Sequence, residues 1–250
     1  MYRADNLRKS GLANLFFLAA LVLAVMVMLP PAPAGATTYQ VGPGKAYSRI
    51  IDVPLESLAA GDTVEVYYQT NPYRENIAIM TQGTAVAPIT LRGIPGPGGE
   101  LPILDGENAL SRSASYMDIW GQERAVLKFG YGYIYPSGLF IDQNNPPKYV
   151  VVENLDIRNG NQIYQFTKDT GEVVYYLDNA ACIRVLYGEH ITFRNCVFSN
   201  SGDGTSSSTY SQDVLFEGCY WHGNGISGDL GRHNNYTQTQ VITWQYCHFG

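Results

Sequence analysis

The sequence predicts an all-β solenoid of stacked parallel strands, on three observations: a six-residue frame that recurs five times, Asn or Gly at one place in that frame, and few charges among many turn formers. The frames are ITLRGI (89 to 94), VVVENL (150 to 155), ITFRNC (191 to 196), VLFEGC (214 to 219) and ITWQYC (242 to 247), apolar at the first, third and sixth positions throughout. Two places beyond the frame stand Ile157, Phe198, Trp221 and Phe249 in the last four copies, and Gly96 in the first. The fifth position holds Gly93, Asn154, Asn195 and Gly218, with Tyr246 as the exception. Gly and Asn both tolerate a left-handed backbone, so each frame reads as a short strand, a one-residue bend and a second strand in a new direction. From the second copy on, the frames start 41, 23 and 28 residues apart. A repeat near 23 residues with variable excess suits coils that stack and lengthen on one side; 41 is either two turns or one turn with a long loop. No single coil buries its own apolar face, so like residues must lie above like in a shared core.

Taken from the start, the chain opens with Arg3, Arg8 and Lys9, then an uncharged apolar block from Leu15 to Leu29, then PPAPAGA. These are the parts of a secretory signal peptide, residues 1 to 36, cut after the small-residue site at Ala34 and Ala36. An uncleaved anchor is the alternative, since Gly11 to Leu29 is charge-free and long enough to cross a bilayer. Residues 37 to 250 then form one domain. Removing Arg3, Arg8, Lys9 and Asp5 takes the formal charge from −6 to −8, which argues against the basic footprint of a nucleic-acid binder. TYQVGPG (38 to 44) reads as strand and turn. Ile51, Leu55 and Leu58 are spaced for one helical face, with Pro54 near its start and Gly61 past its end, which predicts a short helix capping the core. Strand-like runs follow at 77 to 80, 89 to 91 and 103 to 104. The last frame ends at WQYCHFG with no closing cap, so the expectation is that further turns or another chain cover it.

The order VGPGKAYSRI, AAGDTVEV, YRENIAI, APITLRGIPG, PILDG, VVVENLDIRNG and HITFRNCVFSNSGDG resembles the right-handed parallel β-helix superfamily of secreted proteins that includes pectate lyases. The likeness covers essentially all of residues 37 to 250. It implies a right-handed helix and a polysaccharide ligand, with lyases, hydrolases, epimerases and non-catalytic surface proteins all among its members. The chain lacks the G-H-G and R-I-K runs of polygalacturonase-type hydrolases and the D-P-H-D run of alginate epimerases. Lyases of this kind neutralise a uronate carboxylate, usually with Ca2+ held by carboxylates, and remove the C5 proton with Lys or Arg. The resemblance therefore implies cleavage of an acidic polysaccharide, with Ca2+ as the candidate cofactor and a secreted location: extracellular, periplasmic or cell surface. A non-catalytic carbohydrate-binding solenoid is the other reading, and after signal cleavage neither predicts stable membrane association.

Within this frame the loop GISGDLGRHNNY (225 to 236) gathers Asp229, Arg232 and His233, which can supply an acid, a charge clamp and a general base. One coil earlier SNSGDG (199 to 204) offers Asp203, and Asp203 with Asp229 would make a carboxylate pair for hydrolysis or for Ca2+. Both loops also suit plain turn chemistry, with Asp capping backbone amides. Arg184, Arg194 and Arg232 lie in the later coils, either solvated or lining a groove. Tyr131, Tyr133, Tyr175 and Tyr176 fall outside the repeat and are candidates for stacking on sugar rings. They belong to YGYIYPSG (131 to 138) and to the insertion 161 to 179, the expected groove walls. Cys196, Cys219 and Cys247 share the sixth frame position, which favours a column of buried thiols over disulfides; Cys182 stands apart. His190 and His222 are expected to face solvent without a role.

Overall fold

Like residues of the frames do fall above like. The computed structural model describes residues 35–111, 121–130 and 145–250, with the backbone alone for 132–135 and 138–141. The expected signal peptide lies outside the described residues except for its last two. In the first sheet the strands Thr38–Val41, Thr63–Tyr67, Ile89–Ile94, Lys148–Glu153, Glu189–Arg194, Gln212–Glu217 and Ile242–Gln245 run parallel in that order. Ile89, Val150, Ile191, Val214 and Ile242 are successive partners, so the first positions of all five frames form one column. Val150 pairs directly with Ile191, which makes the 41-residue interval one turn with a long loop.

A second sheet stacks Ile103–Asp105, Asp156–Arg158, Val197–Ser199, Tyr220–His222 and His248–Phe249. A third sheet holds Glu75–Ile79, Ala125–Phe129, Ala181–Val185, Asp203–Ser207 and Asn235–Tyr236, extended at one edge by Ala109–Ser111 and by the hairpin Gln165–Thr167 and Val173–Tyr175. Chain order thus visits the three sheets in turn, and parallel crossovers of this kind are right-handed. The molecule is a right-handed parallel β-helix. Among the described residues no helix is long and apolar enough to cross a membrane.

Its core is built of columns. Leu104, Ile157, Phe198 and Trp221 are all buried in register, and Trp221 stacks on Phe249 at 4.7 Å. Phe193 stacks on Phe216 at 5.0 Å. Each such side chain contributes about 1.5–3 kcal/mol by leaving water. Cys196, Cys219 and Cys247 form the expected thiol column: all are free, and each sulfur reaches back to a carbonyl of the preceding coil, Val152, Phe193 and Phe216 in turn.

Left-handed residues mark the corners, five residues apart within a coil: Tyr149, Asn154 and Asn159; His190, Asn195 and Asn200; Asp213, Gly218 and Gly223. The sequence pointed to the middle corner, and Tyr246 adopts φ 56° there as well. Gly93 does not have positive φ; it is glycine because a Cβ would collide with the Asn154 carbonyl of the next coil.

The capping helix is corrected to two single 3-10 turns, Ile50–Asp52 and Leu55–Ser57. Pro54 lies between them and has no N–H to continue a helix. The burial expected of that helix is nonetheless met, since Ile50, Ile51, Leu55 and Leu58 join the core.

Along the outside of the first sheet, Gln40, Glu65, Arg92, Glu153, Arg194, Glu217 and Gln245 stand in register, one per strand. Arg92 Nε meets Glu153 at 2.5 Å, and Arg194 reaches Glu153 at 3.3 Å and Glu217 at 2.7 Å.

Candidate functional site

Strand alternation on the third sheet turns Ile77, Leu127 and Ile183 into the core and their neighbours outward. Ala78, Lys128, Arg184, Ser206 and Tyr236 are consequently one outward column, with Lys128 and Arg184 on adjacent strands. Two loops border this column: the insertion 161 to 179 on one side and the segment 225 to 234 on the other.

The insertion is anchored by its own core. Phe166 stacks on Tyr176 at 4.5 Å, Lys168 pairs with Glu123, and Gln122 exchanges hydrogen bonds with Asp169, at 2.7 Å from Gln122 Nε2 and 3.1 Å back from the Asp169 amide. It ends in Asp178 and Asn179, which face the arginines. The Asn179 carbonyl accepts from Arg184 Nη2 at 2.7 Å and its side-chain oxygen from Arg124 Nη1 at 3.0 Å. Arg232 Nη2 lies 3.3 Å from Asp178 and its Nε 3.6 Å from Asp229. Lys128, 3% exposed, donates to Asn76 Oδ1 at 3.3 Å.

Asp203 sits beneath this group, 2% exposed. Its Oδ1 accepts from the His233 amide at 3.3 Å. Burial pushes the carboxyl up to about 6, against the opposing pull of that amide, Arg184, Arg232 and His233. Burial also pushes the Arg184 guanidinium down to about 10, with Arg124 and Arg232 adding like-charge repulsion and Asp203 opposing. The result is a cluster in which Arg124, Lys128, Arg184 and Arg232 surround the buried Asp203, with Asp178 and Asp229 at its rim.

The expected residues fare differently. Arg232 links the expected residues: it lies beside Asp229 and pulls on the Asp203 carboxyl against the larger upward push of burial, while His233 holds Asp203. His233 holds Asp203 through its main chain, while its exposed ring lies 6.1 Å from that of Tyr236. Arg184 belongs to the cluster, whereas Arg194 belongs to the ladder on the first sheet. Tyr175 is 59% exposed on the hairpin and open to a ligand. Tyr176 is corrected: it is 2% exposed, because alternation along 173 to 176 turns it inward, where its hydroxyl accepts from Asn76. Tyr131 lies outside the described residues, and for Tyr133 the backbone alone is described.

Ca2+ finds no fit in this group. It takes about six to eight oxygens, yet among the described residues no three His, Cys, Asp or Glu side chains converge. Asp203 faces arginines and Asp229 caps the Gly231 amide at 2.8 Å.

An apolar recess of about 380 Å³ lies beyond the cluster, lined by His233, Asn234, Asn235, Trp244 and Phe249. It shares only His233 with the charged group. Arg124, Lys128, Asp178 and Asn179 were not singled out from the sequence as site residues. Lys128 and Arg184 carried the available signal, each an outward-phase cation in a strand, but their adjacency depends on which coils stack.

No protein-family model matches the chain, and no curated protein matches it. Among solved structures it is similar to a pectin methylesterase in complex with a hexasaccharide, at 14% identity over 86% of this chain and 56% of that one, TM-score 0.44. It is similar too to a pectin methylesterase from Erwinia chrysanthemi, at 15% identity over 76% and 51%, TM-score 0.37. A pectin methylesterase from Aspergillus niger follows at 14% identity over 86% and 77%, TM-score 0.30. The chain spans about half the length of the first two of these proteins, and likeness at this level concerns the β-helix fold alone.

Proposed function

We propose that the chain is a secreted β-helix protein that engages an acidic polysaccharide over the third sheet and cleaves it by β-elimination. The observation that carries this reading is the stacking of Lys128 and Arg184 on adjacent strands, with Arg124, Arg232 and the buried Asp203 around them. The half-buried Arg124, Arg184 and Arg232 favour a ligand that carries carboxylates, with Lys128, 3% exposed, behind them. A uronate whose carboxylate is gripped by guanidinium has a more acidic C5 proton. Arg184, its guanidinium pushed down to about 10, takes that proton in its neutral form, while Arg232 stays charged and grips the carboxylate. The C5–H electron pair forms the C4=C5 double bond, the C4–O bond breaks, and protonated Asp203 donates to the leaving oxygen. Tyr175, on the hairpin wall, offers a ring face to a neighbouring sugar.

The burial of Lys128 and Asp203 favours the second reading, a non-catalytic carbohydrate-binding solenoid. Polygalacturonate incubated with the protein separates the two. Release of unsaturated uronide, read by its ultraviolet absorbance and lost in Arg184→Gln, supports the lyase. Retention on a polygalacturonate gel without product leaves the binding reading, and failure of both removes the acidic glycan.

A further inference from the structure

Arg232 presents one bidentate edge, Nε with Nη2, and that edge is filled in an unusual way. Two different carboxylates approach it. Asp178, from the insertion, lies 3.3 Å from Nη2; Asp229, from the arginine's own loop, lies 3.6 Å from Nε. A separation of 3.6 Å is an ion pair without a hydrogen bond, and Nε is buried with no hydrogen-bond partner among the described residues. The remaining nitrogen is already committed, since Nη1 donates to the Gly231 carbonyl at 3.0 Å. A guanidinium edge binds best when one carboxylate takes both nitrogens in parallel. Here each nitrogen has one oxygen of a separate acid, and neither closes the pair. Asp178 is also 54% exposed, so it can swing into water at small cost, whereas Asp229, 41% exposed, stays on the Gly231 amide through its Oδ1 at 2.8 Å and leaves Nε open to a closer oxygen.

We propose that Asp178 is a guard on a carboxylate seat at the Nε and Nη2 edge of Arg232, displaced when the carboxylate of a uronic residue takes both nitrogens. The inference rests on the acidic-polysaccharide reading and gives Asp178 a role in specificity: a neutral or esterified residue has nothing with which to displace it.

Affinity for polygalacturonate at low ionic strength tests this. Asp178→Asn is expected to tighten binding about twofold to fivefold, the range an exposed ion pair is worth. In an Arg232→Gln background the same substitution is expected to change nothing. Asp213→Asn controls for net charge, because Asp213 is also 54% exposed but pairs with His190 elsewhere. Equal tightening by Asp213→Asn, or no tightening by Asp178→Asn, overturns the guard while leaving glycan binding in place. If neither the native protein nor Asp178→Asn binds polygalacturonate, the acidic-glycan reading falls and the guard with it.

Discussion

The outer faces of the first and third sheets are both columns of charged residues at one-rung spacing, yet they are written by opposite rules. On the first sheet the signs alternate through Glu65, Arg92, Glu153, Arg194 and Glu217, with Gln40 and Gln245 at the ends. Every charge there has an opposite neighbour in the next coil. On the third sheet Lys128 and Arg184 are direct neighbours of the same sign, with Arg124 and Arg232 acting on Arg184 as well. Cross-strand like charges destabilise a sheet and opposite ones support it. The first face therefore serves stacking and register, while the third gathers cations of one sign around Asp203.

Substitutions on the two faces should separate these roles. The largest expected effect is on the third face: Arg184→Gln lowers product formation from polygalacturonate by about a hundredfold or more, the scale of a lost general base, with the circular dichroism of the fold retained. Conversely, Arg194→Glu on the first face brings a carboxylate between Glu153 and Glu217. It is expected to cost about 1 kcal/mol, discounted because Arg194 is 42% exposed and screened. The urea midpoint should fall, added salt should recover part of it, and product formation should not change. Should Arg194→Glu abolish activity with the fold intact, the division of labour between the faces is wrong.

Asp203 supplies a pH test of the third face. Its folded-state carboxyl, at about 6, lies above the ordinary value of 3.8, so the native state holds the proton more tightly than the unfolded one. Stability contributed by that proton is full below pH 3.8, declines as pH rises to about 6 and is absent above. Urea titrations across that window should show the decline in the native protein and lose it in Asp203→Asn. Product formation limited by the donor should fall as pH passes through about 6, where the folded-state Asp203 ionises. The smallest effect concerns the corners: Asn195→Ala is expected to cost about 1 kcal/mol for an L side chain at positive φ, and Asn195→Gly only a few tenths. That loss should be the same whether or not glycan is present.

Much of the fold was legible because a solenoid repeats its instructions. The columns of first, third and sixth frame positions, the Asn and Gly bend and the thiol column all follow from residues that must match across coils. The site was legible only where a single loop carried it, as with Asp229, Arg232 and His233. Arg124, Lys128, Asp178 and Asn179 escaped because their meeting depends on two insertions of unrelated length returning to adjacent coils, which no periodicity records. Tyr176 was misread for a different reason. The period-two alternation of the VVYY run separates the exposed ring of Tyr175 from its buried neighbour, whereas composition treats the two tyrosines alike. At the cap, helical spacing outweighed a proline that the 3-10 turns accommodate and an α-helix does not.

The thiol column has a practical consequence. Because each sulfur repeats the same contact one coil on, the three thiols stand one rung apart along the axis. Cys196 and Cys219 are each 1% exposed, so a thiol reagent meets them only when their own coil opens. Labelling rates at Cys196 and Cys219 would act as two separate clocks, one per coil, with the half-buried Cys247 as the open reference, recording in which order the coils come apart.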